Sequence, residues 1–281
     1  MFSKSPVTRF VSAVPVIFVV VLLAFELYAY DVLFVWSILP APRRPYALYY
    51  IGVFSFLWVM TFWSFVQCAF TDTGIPEEWE RYVSMKKDLK VAERGERGWN
   101  PGKATECNKC NIKRPERAHH CSVCGKCILR MDHHCPWIGN CVGYENHKSF
   151  LLLCVWGAAL ACFYVATTLP QMWFITKEYP AEGSSLTAVE AAVFTLASVF
   201  AVALGGALVI LGAVHVSLAA TNQTTIEQGK RGDNPYDLGV SDNLNELLGS
   251  NKLLWLVPIK GERNATGMWF PTAEGFGDGD P

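Results

Sequence analysis

Four long apolar stretches divide the chain, and polar segments separate them. The stretches cover approximately residues 11–39, 46–70, 150–175 and 189–218, and each reaches the roughly 20 residues that a helix needs to cross a bilayer. Buried helices of a soluble protein are the alternative, but four such runs without charged faces leave too much apolar surface to cover. The first stretch is too long for a signal-peptide core, and no small-residue cleavage site follows it. The pattern therefore predicts four transmembrane helices.

The basic residues lie mainly on one side of these predicted helices. Two lysines or arginines precede the first helix, fourteen lie between the second and third, and five follow the fourth, against three on the other side. The positive-inside rule then makes both termini and the large insert cytosolic. The predicted segments are a cytosolic N-terminus (1–10), transmembrane helices one and two (11–70), a cytosolic cysteine-rich domain (71–149), transmembrane helices three and four (150–218) and a cytosolic tail (219–281).

Composition narrows the class of protein further. Of 281 residues, 17% are charged and the formal net charge is −1, whereas soluble domains average about 25% charged residues. The insert is close to charge-balanced, so we expect a lipid bilayer as a partner and no nucleic acid. Glu26 and Asp31 interrupt the first span. Charges at membrane depth are costly, so they mark a function or lie near an interface. We expect Asp31 near the far end of the span, whereas Glu26 is either functional or a structural carboxyl that is paired or protonated.

Cysteine and histidine cluster within the insert. Seven of the ten cysteines and four histidines lie in the window 107–141. Because cytosolic thiols stay reduced, this clustering favours metal binding over disulfides. Two tetrahedral zinc sites would use eight of the eleven candidates and leave three for chemistry. The sequence therefore predicts an all-α polytopic membrane protein, with four transmembrane helices and a cytosolic two-zinc insert between helices two and three.

The motif within this array resembles a known family. Asp132-His133-His134-Cys135, flanked by transmembrane spans, is similar to the signature of the DHHC protein S-acyltransferases, or palmitoyltransferases. The resemblance covers about residues 11–260. It includes Asn146-x3-Phe150, the TTxE-like Thr224-Thr225-Ile226-Glu227, an Asn-containing motif at Asn243, and Asp72-Thr73-Gly74, where threonine replaces the family's proline. We expect that replacement to change the stiffness of the loop and not the chemistry.

The resemblance implies two interleaved ligand sets for two structural zinc ions. The first set is Cys107, Cys110, His120 and Cys127, and the second is Cys121, Cys124, His134 and Cys141. Metal binding would supply most of the folding free energy of this small insert.

The resemblance also implies a reaction, with long-chain acyl-CoA (palmitoyl-CoA) as co-substrate. Cys135 would attack the thioester, become acylated, and pass the acyl group to a cysteine of a cytosol-facing protein. A free thiol is mostly protonated at neutral pH, so Cys135 needs a base. His134 is excluded if zinc occupies its lone pair, whereas His133 is free. Asp132 would orient His133 and stabilise its charged form.

Further residues are assigned by analogy with the family. Arg114, Arg117 and His119 would bind the CoA phosphates, although solvated surface charge is the alternative. By the same analogy, Trp137 and Phe150 would line the mouth of an acyl cavity. Leu153 and Leu160 lie seven residues apart on one helical face and would line it deeper, with ordinary helix packing as the alternative. Supporting roles fall to Thr225, which would hydrogen-bond near Asp132, and to Glu227 and Asn243, which would anchor the tail.

Other functions remain open at this point. A RING-like ubiquitin ligase or an inactive scaffold would not need an unliganded Cys135 beside His133. A zinc transporter would need ligands within the spans, where Glu26, Asp31 and His215 are the candidates. The predicted partners are proteins with membrane-proximal cysteines, and an accessory subunit or an oligomer is left open. We expect an endomembrane location such as the ER, Golgi or a vacuole-type membrane.

Overall fold

Four long helices carry the apolar stretches. The computed structural model describes residues 6–93, 98–178, 187–263, 265–273 and 275–276, and for 6–11, 174–178 and 276 it describes the backbone alone. Residues 1–5 of the predicted N-terminal segment therefore lie outside the described part. In the described residues, four spans are long and apolar enough to cross a membrane: Ser12–Ile38, Ala41–Phe70, His147–Trp173 and Ala188–Ala220. The prediction of four transmembrane helices is confirmed, and the chain is an integral membrane protein.

The helices differ in regularity. Helix α1 (Pro6–Leu27) continues into a π-helical stretch (Tyr28–Ile38), and a short 3-10 turn (Ala41–Tyr46) leads into α2 (Ala47–Phe70). The other helices are α3 (Glu77–Met85), α4 (His147–Glu178), α5 (Ala188–Ala220) and α6 (Val240–Leu248). Pro40 and Pro45 flank or enter the 3-10 turn, which suits a tight connection because proline removes a backbone donor.

The chain forms two compact units. One comprises Val16–Ser64 and Leu152–Ala213, and its core is aromatic. Tyr30 stacks on Phe54 with ring centroids 4.0 Å apart, and its hydroxyl hydrogen-bonds with Thr167 Oγ1 at 2.9 Å. Aromatic pairs of this kind add about 0.5–1.5 kcal/mol beyond simple burial.

The two acidic residues of the first span lie within this unit. Ser55 Oγ donates to Asp31 Oδ2 at 3.0 Å, so this carboxyl has a polar partner within the unit. Glu26 lines a small apolar cavity of about 90 Å³ together with Leu160. Among the described residues, Glu26 Oε2 has no hydrogen-bond partner.

The other unit comprises the described residues of Met1–Pro15, Phe65–Leu151 and Val214–Pro281. Its insert is built from short antiparallel hairpins, an element that the all-α expectation did not include. The strands of the insert are β1 (Thr105–Cys107) with β2 (Ile112–Arg114), β3 (His119–Cys121) with β4 (Lys126–Ile128), and β5 (His133–Cys135) with β6 (Asn140–Val142). A further hairpin, β7 (Pro271–Thr272) with β8 (Gly275–Phe276), lies in the tail.

Side-chain amides fix the third hairpin to the end of α2. Asn146 Nδ2 donates to the carbonyl oxygens of Cys68 at 3.1 Å and Cys141 at 2.9 Å, and Asn140 Nδ2 donates to Thr71 O at 2.8 Å. Gly143 must be a glycine here, because a Cβ would lie 2.7 Å from the Leu129 carbonyl oxygen. The hairpin that carries the DHHC motif is thereby held by side-chain hydrogen bonds to the end of α2 and by the close approach of Gly143 to the Leu129 backbone.

Candidate active site and metal clusters

The hairpins bring the cysteines and histidines together in two groups of four. Strand pairing places His120 opposite Cys127 and His134 opposite Cys141. Each pair joins a Cys-x2-Cys unit of the preceding hairpin, so the groups are the two ligand sets implied by the resemblance. Within each group the ligand atoms lie within 4.8 Å of one another: Cys107, Cys110, His120 and Cys127 in one, and Cys121, Cys124, His134 and Cys141 in the other.

The donor atoms have the spacing that a tetrahedral ion requires. Zn–S bonds of about 2.3 Å and Zn–N bonds of about 2.0 Å put ligand atoms roughly 3.3–3.8 Å apart. In the second group, Cys124 Sγ lies 3.5 Å from Cys141 Sγ and 3.4 Å from His134 Nδ1. In the first, Cys110 Sγ lies 3.7 Å from Cys127 Sγ and 3.2 Å from His120 Nδ1. Three thiols and one imidazole per group fit a zinc ion in both chemistry and distance.

Strand β5 separates the metal ligand from the remaining polar residues of the motif. Side chains alternate between the two faces of a strand. His134 faces the second cysteine group, so His133 and Cys135 share the opposite face. The Cys135 thiol is close enough to the His133 ring to be one of the groups that raise its pKa, and Cys135 is 7% exposed. A buried thiol therefore lies beside a histidine that belongs to neither metal group.

Asp132 holds the other side of the His133 ring. His133 Nδ1 and Asp132 Oδ2 are 2.6 Å apart. Burial lowers the pKa of His133, but the hydrogen bonds and charges of Asp132 and Cys135 outweigh it and raise the pKa to about 9. Burial raises the pKa of Asp132, yet its hydrogen bond with His133 and its other favourable contacts bring it well below its usual range. The pair is arranged so that the ring accepts a proton and the carboxylate stays charged.

Thr225, in the chain that follows α5, orients Asp132. The Thr225 backbone N–H donates to Asp132 Oδ1 at 2.9 Å, and its hydroxyl donates to the Asp132 backbone oxygen at 2.6 Å. The hydroxyl also lies 3.2 Å from Asp132 Oδ2. Both oxygens of the buried carboxylate thus have partners, which fixes its plane relative to His133.

A third histidine, which the sequence offered only as a transporter ligand, also lies here. The His215 ring centroid is 5.8 Å from that of His133 and 4.9 Å from that of Phe150. Asp132, His133 and His215 form a third group of potential metal ligands. However, the 2.6 Å between His133 Nδ1 and Asp132 Oδ2 is too short for two ligands of one ion, which lie about 3.3 Å apart. These two atoms are therefore hydrogen-bonded to each other and are not two ligands of one ion.

A buried ion pair joins the chain after α5 to the insert. Arg117 Nη2 lies 2.7 Å from Glu227 Oε2, and both side chains are 1% exposed. Asn222 accepts from Arg117 Nη1 at 3.1 Å and from Arg130 Nη2 at 2.8 Å. Burial raises the pKa of Glu227, but the Arg117 charge outweighs it, so that the pKa falls to about 2. No short sequence motif marks Asn222 or Arg130, because these contacts join residues about a hundred positions apart.

Of the residues expected near CoA, two line an open cavity, and the third is occupied by other side chains. Arg114 and His119 line a cavity of about 270 Å³ together with Lys103 and Lys230. Burial, followed by the positive charge of Arg114, lowers the pKa of His119 to about 4, so its ring is neutral at neutral pH. Arg117 touches the same cavity, but its guanidinium is engaged by Glu227 and Asn222.

The residues expected to line an acyl cavity differ in their exposure and in their surroundings. Phe150 is buried, and its ring packs edge to face with the His133 ring at a centroid distance of 5.1 Å. Trp137 is 55% exposed, and Leu153 is half-buried. Leu160 lines the small apolar cavity of the unit formed by Val16–Ser64 and Leu152–Ala213. Asn243 is buried and donates to Ala220 O at 2.8 Å, so it ties α6 to the end of α5.

Fold and site together define a polytopic membrane protein with a histidine-paired cysteine beside two Cys/His clusters. Residues 100–232 match the model of the DHHC palmitoyltransferase family. The chain is 33% identical to human palmitoyltransferase ZDHHC20 over 94% of its own length and 78% of that protein. It is 32% identical to mouse palmitoyltransferase ZDHHC15, covering 94% and 83%, and 33% identical to the probable protein S-acyltransferase 12 of Arabidopsis thaliana, covering 79% of each. The chain therefore belongs to the DHHC palmitoyltransferase family, a family of acyltransferases.

The buried ion pair yields a stability prediction. Glu227→Gln keeps the shape of the side chain but leaves the Arg117 charge buried without its counterion, which we expect to cost about 3–5 kcal/mol of unfolding free energy. Asp72→Asn is the matched control, because the Asp72–Lys126 pair is exposed and such pairs contribute at most about 1 kcal/mol. Denaturant unfolding of the detergent-solubilised protein, followed by tryptophan fluorescence, measures both. Equal effects of the two substitutions would contradict the prediction.

Proposed function

We propose that the chain transfers a long-chain acyl group from acyl-CoA to protein cysteines through an acyl-Cys135 intermediate. The observation that carries the proposal is the face of β5 on which His133 lies between the Cys135 thiol and the Asp132 carboxylate. Nucleophile, base and orienting group occur there in the order that covalent acyl transfer uses. Family membership supports the same reaction class.

The residues perform two successive transfers in this proposal. His133 takes the proton from the Cys135 thiol, and the thiolate attacks the carbonyl carbon of the acyl-CoA thioester. The bond from the acyl carbon to the CoA sulfur breaks, and the CoA thiolate leaves with a proton. His133 then takes the proton from the substrate cysteine thiol, and the resulting thiolate attacks the carbonyl carbon of the acyl-Cys135 thioester. The bond from the acyl carbon to the Cys135 sulfur breaks, and the Cys135 thiolate recovers the proton from His133. Asp132 keeps the His133 ring oriented, and Thr225 keeps Asp132 in place.

Two zinc ions are proposed to have structural roles, with the two Cys/His groups as their ligands. When bound, they would supply cross-links that hold the hairpins together, since the insert has few long strands to do so. His134 would be a ligand and would therefore be unavailable as a base. The strand that holds the second ion would also fix the direction of Cys135.

Polar and apolar parts of acyl-CoA would be recognised by different residues. Arg114, with Lys103 and Lys230 beside it in the 270 Å³ cavity, would bind phosphate oxygens, and His119 would donate a neutral hydrogen bond. For Arg117 we propose a supporting role through its ion pair with Glu227. Phe150, Trp137, Leu153 and Leu160 would contact the acyl chain, which prefers hydrocarbon by about 0.8 kcal/mol per methylene.

The topology proposed from the distribution of basic residues puts both termini and Cys135 on the cytosolic side. Only fourteen residues separate Cys135 from Phe150, which lies in the third span, so the thiol would act close to the membrane surface. Proteins with membrane-proximal cysteines are then the natural substrates. An endomembrane location is proposed, and an accessory subunit or oligomer would be compatible with the site.

Autoacylation tests the proposal directly. Purified protein incubated with alkyne-tagged palmitoyl-CoA should acquire label that neutral hydroxylamine removes, and Cys135→Ser should abolish it. Cys162→Ser is the matched control, since Cys162 is an exposed cysteine outside the site and its loss should leave the label unchanged. His133→Gln should slow labelling by about 10²–10⁴-fold, the usual contribution of a positioned base. Equal label on the Cys135→Ser chain would move the acyl site elsewhere, and no label on a metal-replete native chain would favour a scaffold.

Metal content tests the ligand assignment separately. Elemental analysis should give two zinc ions per chain for the native protein and for Cys135→Ser. Cys110→Ser and Cys124→Ser should each lose one ion, because each removes a thiolate from a different group of four. Loss of zinc from Cys135→Ser would assign that thiol to the metal and remove it as the nucleophile.

A further inference from the structure

A basic cavity lies at the ends of the second and third spans. It has a volume of about 220 Å³, and its polar lining comprises Gln67, Thr71, Glu145, Lys148, Ser149, Lys260 and Arg263. Gln67 belongs to the span Ala41–Phe70, and Lys148 and Ser149 belong to the first turn of His147–Trp173. The cavity differs in lining from the one proposed for CoA, with which it shares no residue.

The buried charge of Lys148 indicates that this cavity binds an anion. The residue is 5% exposed, and Nζ donates to the Leu254 backbone oxygen at 2.8 Å. Among the described residues, no carboxylate lies within ion-pair distance of Lys148. Buried charges are normally paired, because an unpaired one is costly. Its place in the first turn of α4 adds to the cost, since the positive end of the helix dipole lies there and favours an anion.

The charged residues that line the cavity have a net positive charge. Lys260 lies 2.7 Å from Glu145 Oε2 and Arg263 lies 3.5 Å from the same oxygen, so one carboxylate serves both cations. Three cations and one carboxylate leave two positive charges. A phosphate monoester, with close to two negative charges, complements that balance and accepts several charge-assisted hydrogen bonds.

The surroundings favour a lipid as the source of the phosphate. Span ends lie at the level of the headgroups, and basic pockets between transmembrane helices are known to bind anionic headgroups. Lys148 donates a hydrogen bond to the Leu254 carbonyl oxygen. Two apolar side chains close to Leu254 in the sequence are exposed, Leu253 by 89% and Leu256 by 56%. Side chains of this type at a span end suit contact with the bilayer more than with water.

We propose that this cavity binds the phosphomonoester headgroup of an anionic lipid from the adjacent leaflet. The bound headgroup neutralises Lys148 and contacts Lys260 and Arg263, which belong to the tail. Lipid binding therefore holds the tail segment that contains Lys260 and Arg263 against the first turn of α4. The site is independent of the acyl-transfer proposal, since it involves neither Cys135 nor the metal groups.

Native mass spectrometry of the full chain carrying Cys135→Ser tests the site without any acyl transfer. The probe is dioctanoyl phosphatidylinositol 4-phosphate, with dioctanoyl phosphatidylcholine for comparison. We expect a stoichiometric adduct with the first lipid alone. Lys148→Met and Lys260→Gln should each weaken binding about tenfold or more, which corresponds to the loss of a charge-assisted hydrogen bond. Lys252→Gln is the matched control, because Lys252 is an exposed cation of the same tail segment that does not line the cavity.

Several outcomes would overturn the proposal. Equal weakening by Lys252→Gln would mean that surface charge, and not the cavity, attracts the lipid. Displacement of the lipid by equimolar inorganic phosphate or CoA would assign the cavity to a soluble phosphate. If Lys148→Met fails to fold, Lys260→Gln alone decides, because its side chain is 66% exposed and its removal leaves the buried contacts intact. Binding that Lys260→Gln does not change would exclude the cavity.

Discussion

The buried pair of Arg117 and Glu227 determines where the chain must return after its fourth transmembrane helix. Each side chain is 1% exposed, and either charge left alone would cost several kcal/mol. Asn222 completes the arrangement by accepting from both Arg117 and Arg130. With Asn222 and Glu227 so placed, Thr225 between them reaches Asp132 with both its backbone N–H and its hydroxyl. The orientation of the proposed catalytic carboxylate thus depends on charges that take no part in the chemistry.

The second constraint is the alternation of side chains along β5. Three consecutive residues of one short strand send His134 to a Cys/His group and His133 and Cys135 to the opposite face. Folding of the metal group and placement of the nucleophile are therefore consequences of the same hairpin. This arrangement predicts that a substitution in the second metal group affects acyl transfer, although the metals are proposed to have no part in the reaction.

The sequence predicts the parts of this molecule whose signal is local. The four spans follow from long apolar runs, and the grouping of cysteines and histidines follows from their spacing and the family resemblance. The six strands of the insert have three residues each, too few for a periodic pattern to indicate them. Arg117 shows a different limit: its sequence position suggested phosphate binding, and its burial against Glu227 depends on a contact 110 residues away. His215 stands out in the sequence only as an ionisable residue within a span, because nothing in the sequence places it beside His133.

The most direct test of this account compares Thr225→Val with Thr224→Val. The first removes the hydroxyl that contacts Asp132, whereas Thr224 Oγ1 has no hydrogen-bond partner among the described residues. Single-turnover acylation by palmitoyl-CoA should slow about tenfold or more in Thr225→Val, as expected for a lost hydrogen bond to a charged group. Thr224→Val should react at the native rate, and both chains should retain two zinc ions. A native rate for Thr225→Val, or an equal loss in both variants, would contradict the claim that the chain after α5 orients Asp132 for catalysis.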